Sequence, residues 1–392
     1  MIHPREDAFH VAIACGGTGG HLFPGLAVAE QLARRGCKIS LLISPKEVDQ
    51  QAVKNISGMG IVTLPAVALQ NRNYISFARG CFRSYRAARR YFKSRPPQAM
   101  LAMGGFTSAP PVLAAKSLGA KTFLHESNTI PGRANRWLSR FVDTAFVGFP
   151  QAANRLRTRK TVATGTPVRP QFQPRDAATC RTALGLEANR PVVLVMGGSQ
   201  GASGINEMVL SALPQLAKRA LHWQWLHLAG ANNSNKVKQA YAAAGVKAVV
   251  HPFLVEMDLA LGAASATVSR AGASSLAEIA AMRLPSLLVP YPFAAYNHQY
   301  FNAQAFAETG AARLLEQKDA TSEKVSALLI ELIENSSARE AMQAALIKWH
   351  APKAAEQIAE AILQAVTGRV SLAPRSGERA GVRGEINLKA VA

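Results

Sequence analysis

The chain is poor in cysteine and in acidic residues, and it has no long hydrophobic run. Its four cysteines, among 392 residues, include no pair with CxxC spacing. A zinc site or a disulfide framework is therefore not expected, and a reduced, cytoplasmic setting is favoured. No stretch of about 18 apolar residues occurs, and the first seven residues lack an apolar segment, so we expect neither a transmembrane helix nor a signal peptide.

The shortage of acidic residues is concentrated in the first half of the chain. The whole chain has 45 Lys and Arg against 24 Asp and Glu, a net charge of +21, and residues 1–168 carry 23 of those basic residues but only 7 of the acidic ones. This asymmetry indicates an anionic partner for the first half: a nucleic acid, an acidic membrane surface or a phosphorylated substrate. No nucleic-acid-binding module is recognisable, so we expect no nucleic acid.

Two glycine-rich turns, each directly after a buried-strand pattern, are the most informative motifs. GGTGGH at 16–21 follows the apolar run 9–14, and GGSQGA at 197–202 follows the run 191–196. A strand, a glycine turn and a helix open a doubly wound domain, in which the helix N-terminus offers N–H donors to a phosphorylated ligand. Two such openings, about half a chain apart, predict two Rossmann-like domains facing across a cleft.

Strand and helix patterns alternate through both halves, which predicts an α/β fold with parallel sheets. The predicted strands are 11–14, 38–43, 99–103, 121–124, 144–147, 192–196, 223–229, 248–251, 266–269 and 286–289. The predicted helices are 23–34, 112–118, 205–218, 274–282, 298–308, 323–334 and 354–366. The prolines of segment 165–170 mark a boundary, so we predict domains at 1–166 and 167–349. Residues 367–392 lack periodicity and are expected to be a disordered tail.

Residues 72–95 form a strongly basic segment with seven Arg, one Lys and no acid. On a helix, an apolar stripe would lie beside Arg79, Arg83 and Arg86, which is typical of a helix that lies in a membrane interface. The stripe consists of Ile75, Ala78, Phe82, Tyr85, Ala88 and Phe92. The alternative is an ordinary core-facing helix with a solvated basic face. The charge asymmetry favours the membrane interpretation.

Eight short motifs in order make the chain similar to the MurG family, bacterial enzymes that add N-acetylglucosamine to lipid I to give lipid II. They are residues 16–25, 104–110, 125–128, 166–169, 197–202, 269–273, 277–280 and 298–303, and the similarity extends over residues 9–366. The resemblance implies a GT-B fold, in which the C-terminal helix, here 350–366, crosses back onto the N-terminal domain. It also implies an inverting transfer of GlcNAc from UDP-GlcNAc to the MurNAc 4-hydroxyl, within peptidoglycan synthesis, cell wall biogenesis, cell shape and cell division.

The donor site is expected mainly on the second domain. A carboxylate can accept both hydroxyls of a ribose, which is the role implied for Glu278. The N–H groups at Ser199 and Gln200 suit a pyrophosphate. The family often has two glutamines where this chain has His298 and Gln299, the predicted contacts to the GlcNAc hydroxyls. The predicted UDP-GlcNAc contacts are Thr18, Gly19, Gly20, Asn128, Arg169, Ser199, Gln200, Leu254, Arg270, Ala273, Ser274, Ser275, Glu278, His298 and Gln299.

The acceptor site is expected on the first domain. His21 closes the first glycine turn and suits a general base near neutral pH, although it is also a candidate for stabilising the loop or the donor pyrophosphate. Glu126 and Asn128 follow a strand and are candidates for orienting the acceptor, with Glu126 a rival for the base. The contacts predicted for the lipid I diphosphate are Thr18, Gly104, Gly105 and Ser108.

No Asp-x-Asp metal site is evident, so we expect no required cofactor and only a secondary stimulation by Mg²⁺. The expected partners are UDP-GlcNAc, undecaprenyl-linked lipid I, anionic inner-membrane lipids and proteins of the cell-wall or division machinery, with the enzyme peripheral on the cytoplasmic face of the bacterial inner membrane.

Three other functions were weighed. A glycolipid transferase acting on diacylglycerol is the main alternative, and the motifs at 104–110 and 125–128 argue against it. A dinucleotide oxidoreductase would need GxGxxG spacing, which the turn at 16–21 lacks. A non-catalytic scaffold would tolerate the loss of His21.

Overall fold

The structure is a computed structural model that describes residues 8–54, 56–65, 74–198 and 202–368. Several sequence predictions lie outside these residues. Ser199 and Gln200 of the second glycine turn are among them, as are Arg72 of the basic segment and residues 369–392 of the tail.

The first half of the chain forms a parallel sheet with the strand order β3-β2-β1-β4-β5-β6-β7. Its strands are β1 (His10–Ala14), β2 (Lys38–Ile43), β3 (Gly60–Thr63), β4 (Ala99–Ala102), β5 (Lys121–Glu126), β6 (Thr144–Val147) and β7 (Thr161–Ala163). Strands β4 and β6 are buried along their whole length, and β1 is buried from Val11 onward, because helices cover both faces of the sheet. We call this sheet with its helices the first lobe.

The second half forms a parallel sheet with the order β10-β9-β8-β11-β12-β13, and we call this sheet with its helices the second lobe. Its strands are β8 (Val192–Met196), β9 (Gln224–Leu228), β10 (Ala248–His251), β11 (Ala266–Ser269), β12 (Ser286–Leu288) and β13 (Arg313–Leu314). In both sheets the strand order reverses beside the first strand of the lobe. This arrangement confirms the predicted α/β fold of two doubly wound units.

The α-helices of the first half are α1 (Gly19–Arg34), α2 (Glu47–Val53), α3 (Tyr74–Ser94), α4 (Ala109–Lys116) and α5 (Arg133–Leu138). Those of the second half are α6 (Ala177–Ala183), α7 (Ser203–Arg219), α8 (Ser234–Ala243), α9 (Met257–Ala263), α10 (Ala273–Ala281), α11 (His298–Glu308), α12 (Ser322–Glu334), α13 (Ser336–Ile347) and α14 (Ala354–Thr367). Short 3-10 helices occur at Pro150–Arg155, Ala295–Asn297 and Gln317–Asp319.

The last helix, α14, packs on the first lobe although it follows the second lobe in sequence. Its buried Ile358 and Ile362 belong to the same core as Leu22 of α1. Arg35, just after α1, forms a salt bridge of 3.1 Å with Glu356 of α14. Apolar burial supplies most of the attachment, because an exposed ion pair contributes at most about 1 kcal/mol.

Helix α3 divides the predicted apolar stripe between two environments. Ala88 and Phe92 are fully buried under the first sheet, whereas Ile75 is 68% exposed and Phe82 is 60% exposed. The C-terminal half is therefore a core-facing helix, and only the N-terminal half presents apolar side chains beside arginines to the surface. None of the helices among the described residues is both long and apolar enough to cross a bilayer.

Three strands were missed by the sequence analysis: β3, β7 and β13. Each is short and lies at the edge of its sheet, and each has half-exposed positions. An edge strand of this kind lacks the continuous apolar run by which a buried parallel strand is recognised.

Candidate active site

The candidate site lies in the cleft between the two lobes, where the N-termini of α1 and α10 meet. The Ser274 hydroxyl at the start of α10 donates a hydrogen bond of 2.9 Å to the carbonyl of Gly20 in the first turn of α1. Each helix N-terminus carries unpaired N–H donors and a partial positive charge. Two such ends facing one another suit an anionic ligand such as a diphosphate.

The first glycine turn is shaped by close contacts that exclude side chains. A Cβ atom on Gly16 would lie 2.3 Å from the backbone nitrogen of Ser44. The Thr107 hydroxyl donates to the Gly16 carbonyl at 2.8 Å and so joins this turn to the turn that contains Gly104 and Gly105. Thr18 is the N-cap residue of α1, is exposed, and makes no capping hydrogen bond with its side chain. It is therefore accessible to a ligand, as predicted for a contact residue.

Gly104 and Gly105 form the floor on which the His21 ring lies. Their φ angles are +105° and +80°, a region that favours glycine. A Cβ on Gly104 would lie 3.0 Å from Cε1 of His21. Ser108 is fully buried and its hydroxyl bonds only within this turn, to the carbonyl of Gly104 at 2.5 Å and from its N–H at 3.1 Å. Ser108 therefore supports the turn from beneath, and its predicted hydroxyl contact with the acceptor stays a prediction.

His21 is placed with an uncharged ring in the cleft. Burial lowers its pKa below 6.5, an effect that the Glu126 carboxylate and the Met103 carbonyl oppose and that the nearby His298 reinforces. Its Nδ1 is buried and makes no hydrogen bond among the described residues. A neutral imidazole at neutral pH is the form that can accept a proton.

Glu126 is buried, and each of its two carboxylate oxygens accepts two hydrogen bonds. Oε1 accepts from the backbone N–H of Asn128 at 2.9 Å and from its Nδ2 at 3.0 Å. Oε2 accepts from the N–H of Gly132 at 3.1 Å and from Nδ2 of Asn135 at 2.8 Å. These four bonds occupy both oxygens and leave the carboxylate poorly placed to bind a substrate hydroxyl. This geometry favours a role in positioning the loop after β5 over a role as the base.

Asn302 joins the lobes, a role that the sequence analysis does not predict. Its Oδ1 accepts from the N–H and the hydroxyl of Thr129, both at 2.9 Å, and its Nδ2 donates to Oδ1 of Asn128 at 3.0 Å and to the Ala271 carbonyl at 3.1 Å. It is completely buried. A polar side chain on the core-facing side of a helix is the only sequence signal that could have indicated this bridge.

Gln299 and His298 begin α11 at the rim of the cleft. Oε1 of Gln299 accepts from the N–H groups of Ala271 and Tyr291 at 3.2 and 3.0 Å, which leaves its Nε2 available to a sugar hydroxyl. Nδ1 of His298 lies 2.7 Å from the carbonyl of Ala295, so Nδ1 carries a proton and Nε2 points elsewhere. Both side chains therefore retain one polar group for a ligand.

Glu278 and Arg169 lie close together between the lobes. Burial raises the pKa of Glu278 to about 7, and the positive charge of Arg169 opposes that rise. The Arg169 guanidinium lies 4.1 Å from the ring centroid of Phe23 in the first lobe and 5.0 Å from that of Phe172 in the core of the second lobe. Phe23 and Phe172 were missed because an aromatic contact across a cleft leaves no spacing pattern in the sequence.

Arg270 is turned away from a ligand and into the protein. Its Nη1 donates to the carbonyls of Val289 and Pro290 at 3.1 and 3.0 Å, and its Nη2 donates to Gln317 at 2.8 Å. It is 8% exposed. These bonds make Arg270 a brace for the loop after β12, and its contact with the donor stays a prediction.

The remaining predicted donor contacts lie along the second lobe at the cleft. Ala273 is buried at the start of α10, and Ser275 is partly exposed two residues further on. The Leu254 side chain packs against the core of the second lobe, while its neighbours Phe253 and Val255 are exposed. The structure thus joins Gly20 to Ser274 and places Arg169 near Glu278, while Ser199 and Gln200 lie outside the described residues.

Both halves of the chain match glycosyltransferase family 28. Residues 11–147 match the N-terminal domain of that family, and residues 192–358 match its C-terminal domain.

Curated relatives are similar over nearly the whole chain. A protein of Anaeromyxobacter sp. (strain Fw109-5), named UDP-N-acetylglucosamine--N-acetylmuramyl-(pentapeptide) pyrophosphoryl-undecaprenol N-acetylglucosamine transferase, is 34% identical over 94% of this chain and 96% of its own length. A protein of the same name from Xanthomonas euvesicatoria pv. vesicatoria (strain 85-10) is 36% identical over 95% of this chain and 85% of its own length.

Solved structures agree with the fold described above. The crystal structure of Acinetobacter baumannii MurG superposes with a TM-score of 0.71 at 29% identity, and the match covers 91% of this chain and 99% of that one. The GT-B arrangement of two facing lobes is thereby confirmed. Domain matches in both halves, full-length relatives and this structural neighbour agree, and the chain belongs to the MurG family of glycosyltransferases.

Proposed function

We propose that this protein is an inverting glycosyltransferase that moves GlcNAc from UDP-GlcNAc to the MurNAc 4-hydroxyl of lipid I, giving lipid II. One observation carries the proposal beyond family membership. The cleft brings a neutral imidazole, His21, to the junction of the two glycine turns of the first lobe, opposite the α10 and α11 N-termini of the second lobe. A base on one lobe and groups for a nucleotide sugar on the other are what a direct displacement between two substrates requires.

In the proposed reaction, the acceptor 4-hydroxyl attacks C1 of GlcNAc from the face opposite UDP. The bond from C1 to the UDP oxygen breaks with both electrons going to UDP, and the hydroxyl proton passes to His21. The single displacement inverts C1 and gives a β-1,4 linkage. Asn128, held by Glu126 and Asn302, lies beside the site and would orient one of the two sugars.

The donor is proposed to bind on the second lobe. Glu278 would accept the ribose hydroxyls, and Gln299 and His298 would bind the hydroxyls of GlcNAc through the polar groups that the protein leaves available. The diphosphate would lie between the N-termini of α1 and α10, where N–H groups meet the charge that develops on the leaving UDP. We propose on this basis that no bound metal is required.

The acceptor is proposed to reach the cleft from a membrane. Ile75 and Phe82 are exposed on α3 beside Arg79, Arg83 and Arg86, and this surface would bind anionic lipids at the cytoplasmic face of the bacterial inner membrane. Proteins of the cell-wall and division machinery remain proposed partners on the family resemblance alone.

The test is transfer of radiolabelled GlcNAc from UDP-GlcNAc to a lipid I analogue, with His21→Ala and Glu278→Ala measured beside the wild type. We expect kcat to fall by about 10²–10⁴-fold for His21→Ala. Glu278→Ala should mainly raise the KM for UDP-GlcNAc. His222→Ala, at an exposed position outside the cleft, is the matched control. Absence of transfer by folded wild type that still binds UDP-GlcNAc would rule out lipid I as the acceptor.

A further inference from the structure

Lys46 contacts both glycine turns of the first lobe, although it belongs to neither. It follows β2 and precedes α2. Its Nζ donates a hydrogen bond of 3.0 Å to the carbonyl of Gly17 and lies 5.3 Å from the centroid of the Phe106 ring. The Phe106 ring lies against Gly17, so the ammonium group contacts the turn at 16–21 and the turn at 104–108 where they touch each other.

The turns are held in shape by other groups. The buried carboxylate of Asp49 accepts from the Gly17 N–H at 2.6 Å and from the Ser44 hydroxyl at 2.5 Å. The Thr107 hydroxyl holds the Gly16 carbonyl at 2.8 Å. The first turn is therefore fixed from beneath by neighbours that are themselves buried, and the exposed lysine is an addition to this support.

The charge of Lys46 is available at the surface. The side chain is exposed, and it forms no ion pair within the part of the chain that the structure describes. An ammonium group has three donors, of which the Gly17 carbonyl takes one. The others are free to bind an anion.

The position of Lys46 on the sheet edge indicates which anion. Helix α3 begins beyond β3, Lys46 follows β2, and the glycine turns follow β1 and β4. The sheet order β3-β2-β1-β4 therefore places Lys46, at the end of β2, beside the two turns that follow the neighbouring strands β1 and β4. A substrate that joins a sugar in the cleft to a lipid in the membrane through a diphosphate would pass this point.

We propose that Lys46 binds the diphosphate of the acceptor where the two glycine turns of the first lobe meet. The inference rests on the proposed function, and it adds a residue that determines affinity for the acceptor and leaves the donor site untouched. A lysine ammonium recognises phosphate as a compact charge with several donors, and such charge-assisted bonds are stronger than neutral ones.

The first experiment uses a lipid I analogue with a short, water-soluble prenyl chain, so that membrane binding does not contribute. For Lys46→Met we expect the KM for the acceptor to rise about tenfold or more, with the KM for UDP-GlcNAc unchanged. Lys46→Arg keeps the charge and should restore most of the acceptor affinity. Lys54→Met removes an exposed lysine at the end of α2 and serves as the matched control.

The second experiment measures binding of geranyl diphosphate by calorimetry, and it does not depend on catalysis. Weaker binding by Lys46→Met than by Lys54→Met would support the inference even if the wild type transferred no sugar to lipid I, a result that would contradict the proposed function alone. An unchanged acceptor KM together with unchanged geranyl diphosphate binding would overturn the inference. A lower melting temperature with equal losses for both substrates would also overturn it, because Lys46 would then only support the turns.

Discussion

Thr129 and Asn302, 173 residues apart in sequence, are joined by two hydrogen bonds across the cleft. Both donors come from Thr129, and the accepting amide of Asn302 also binds Asn128, whose own amide is held by Glu126. The loop that carries Asn128 is thus fixed at once by a buried carboxylate of its own lobe and by a helix of the other. The lobes are coupled at the point where the two substrates must meet.

Thr129→Val tests this coupling with little change in side-chain volume. It removes one of the two donors to Asn302, so we expect a loss of about 1 kcal/mol in the free energy of unfolding and a lower kcat. Urea unfolding and steady-state transfer assays measure the two effects. Thr182→Val, at an exposed position on α6, is the control. Equal effects of the two substitutions would show that the bridge does not couple the lobes.

The lowered pKa of His21 predicts the acid side of the pH profile. Because burial lowers the pKa below 6.5, the ring stays neutral at neutral pH, and kcat should fall only as the pH drops below that value and the base becomes protonated. The profile of kcat against pH in the wild type measures this limb, and His21→Gln should flatten it along with its overall loss of rate. A profile limb that persists in His21→Gln would assign the base to another group.

We predict that Glu278 binds the donor and that its ionised form lowers the free energy of unfolding. Its pKa is raised to about 7, so the folded protein holds a proton that the unfolded chain releases at lower pH, and stability falls as the pH rises from about 4.5 to 7. Glu278→Gln removes this effect and should raise the melting temperature at pH 8. The corresponding gain in the free energy of unfolding has an upper limit of about 3 kcal/mol.

The same substitution should weaken UDP-GlcNAc binding at pH 8, because the amide accepts fewer bonds from the ribose than the carboxylate does. Wild-type affinity should fall as the pH drops below about 7, where Glu278 gains a proton. Calorimetric titration at several pH values measures both trends, with Glu340→Gln on α13 as the control. A pH-independent affinity in the wild type would contradict the assignment of Glu278 to the ribose.

The exposed end of α3 predicts membrane binding that depends on two apolar side chains. Ile75→Ser and Phe82→Ser should each lower binding to vesicles containing phosphatidylglycerol by about tenfold or more, because each removes apolar area from the contact. Sedimentation with vesicles measures this, and Ile347→Ser, which changes an exposed isoleucine of the second lobe, is the control. If the control loses as much binding as the α3 variants, the surface lies elsewhere.

Chelation tests the proposal that helix N-termini meet the charge of the leaving UDP. Treatment with EDTA should leave most of the activity with the soluble acceptor, and added Mg²⁺ should stimulate it only a few-fold. A complete loss on chelation that Mg²⁺ restores would show that the reaction depends on a metal.

The sequence by itself determined the two lobes and most of their strands. A buried parallel strand such as Val192–Met196 is apolar along its whole length, and a glycine turn follows only where a helix must start beside it. These are local requirements, so they leave local patterns. The motifs also predicted site roles for His21 and Gln299, because each lies in the first turn of a helix at the edge of a sheet where ligands bind, and these roles stay predictions.

The tertiary structure decided what those side chains do. Arg270 has a suitable residue type for a ligand, yet its guanidinium is hydrogen-bonded to the carbonyls of Val289 and Pro290 and to Gln317, which distant segments bring to it. Asn302 and Lys46 gain their importance from Thr129 and Gly17, which lie far away in sequence. Hydrogen-bond partners and burial arise only when distant segments pack, and no periodicity along the chain records them.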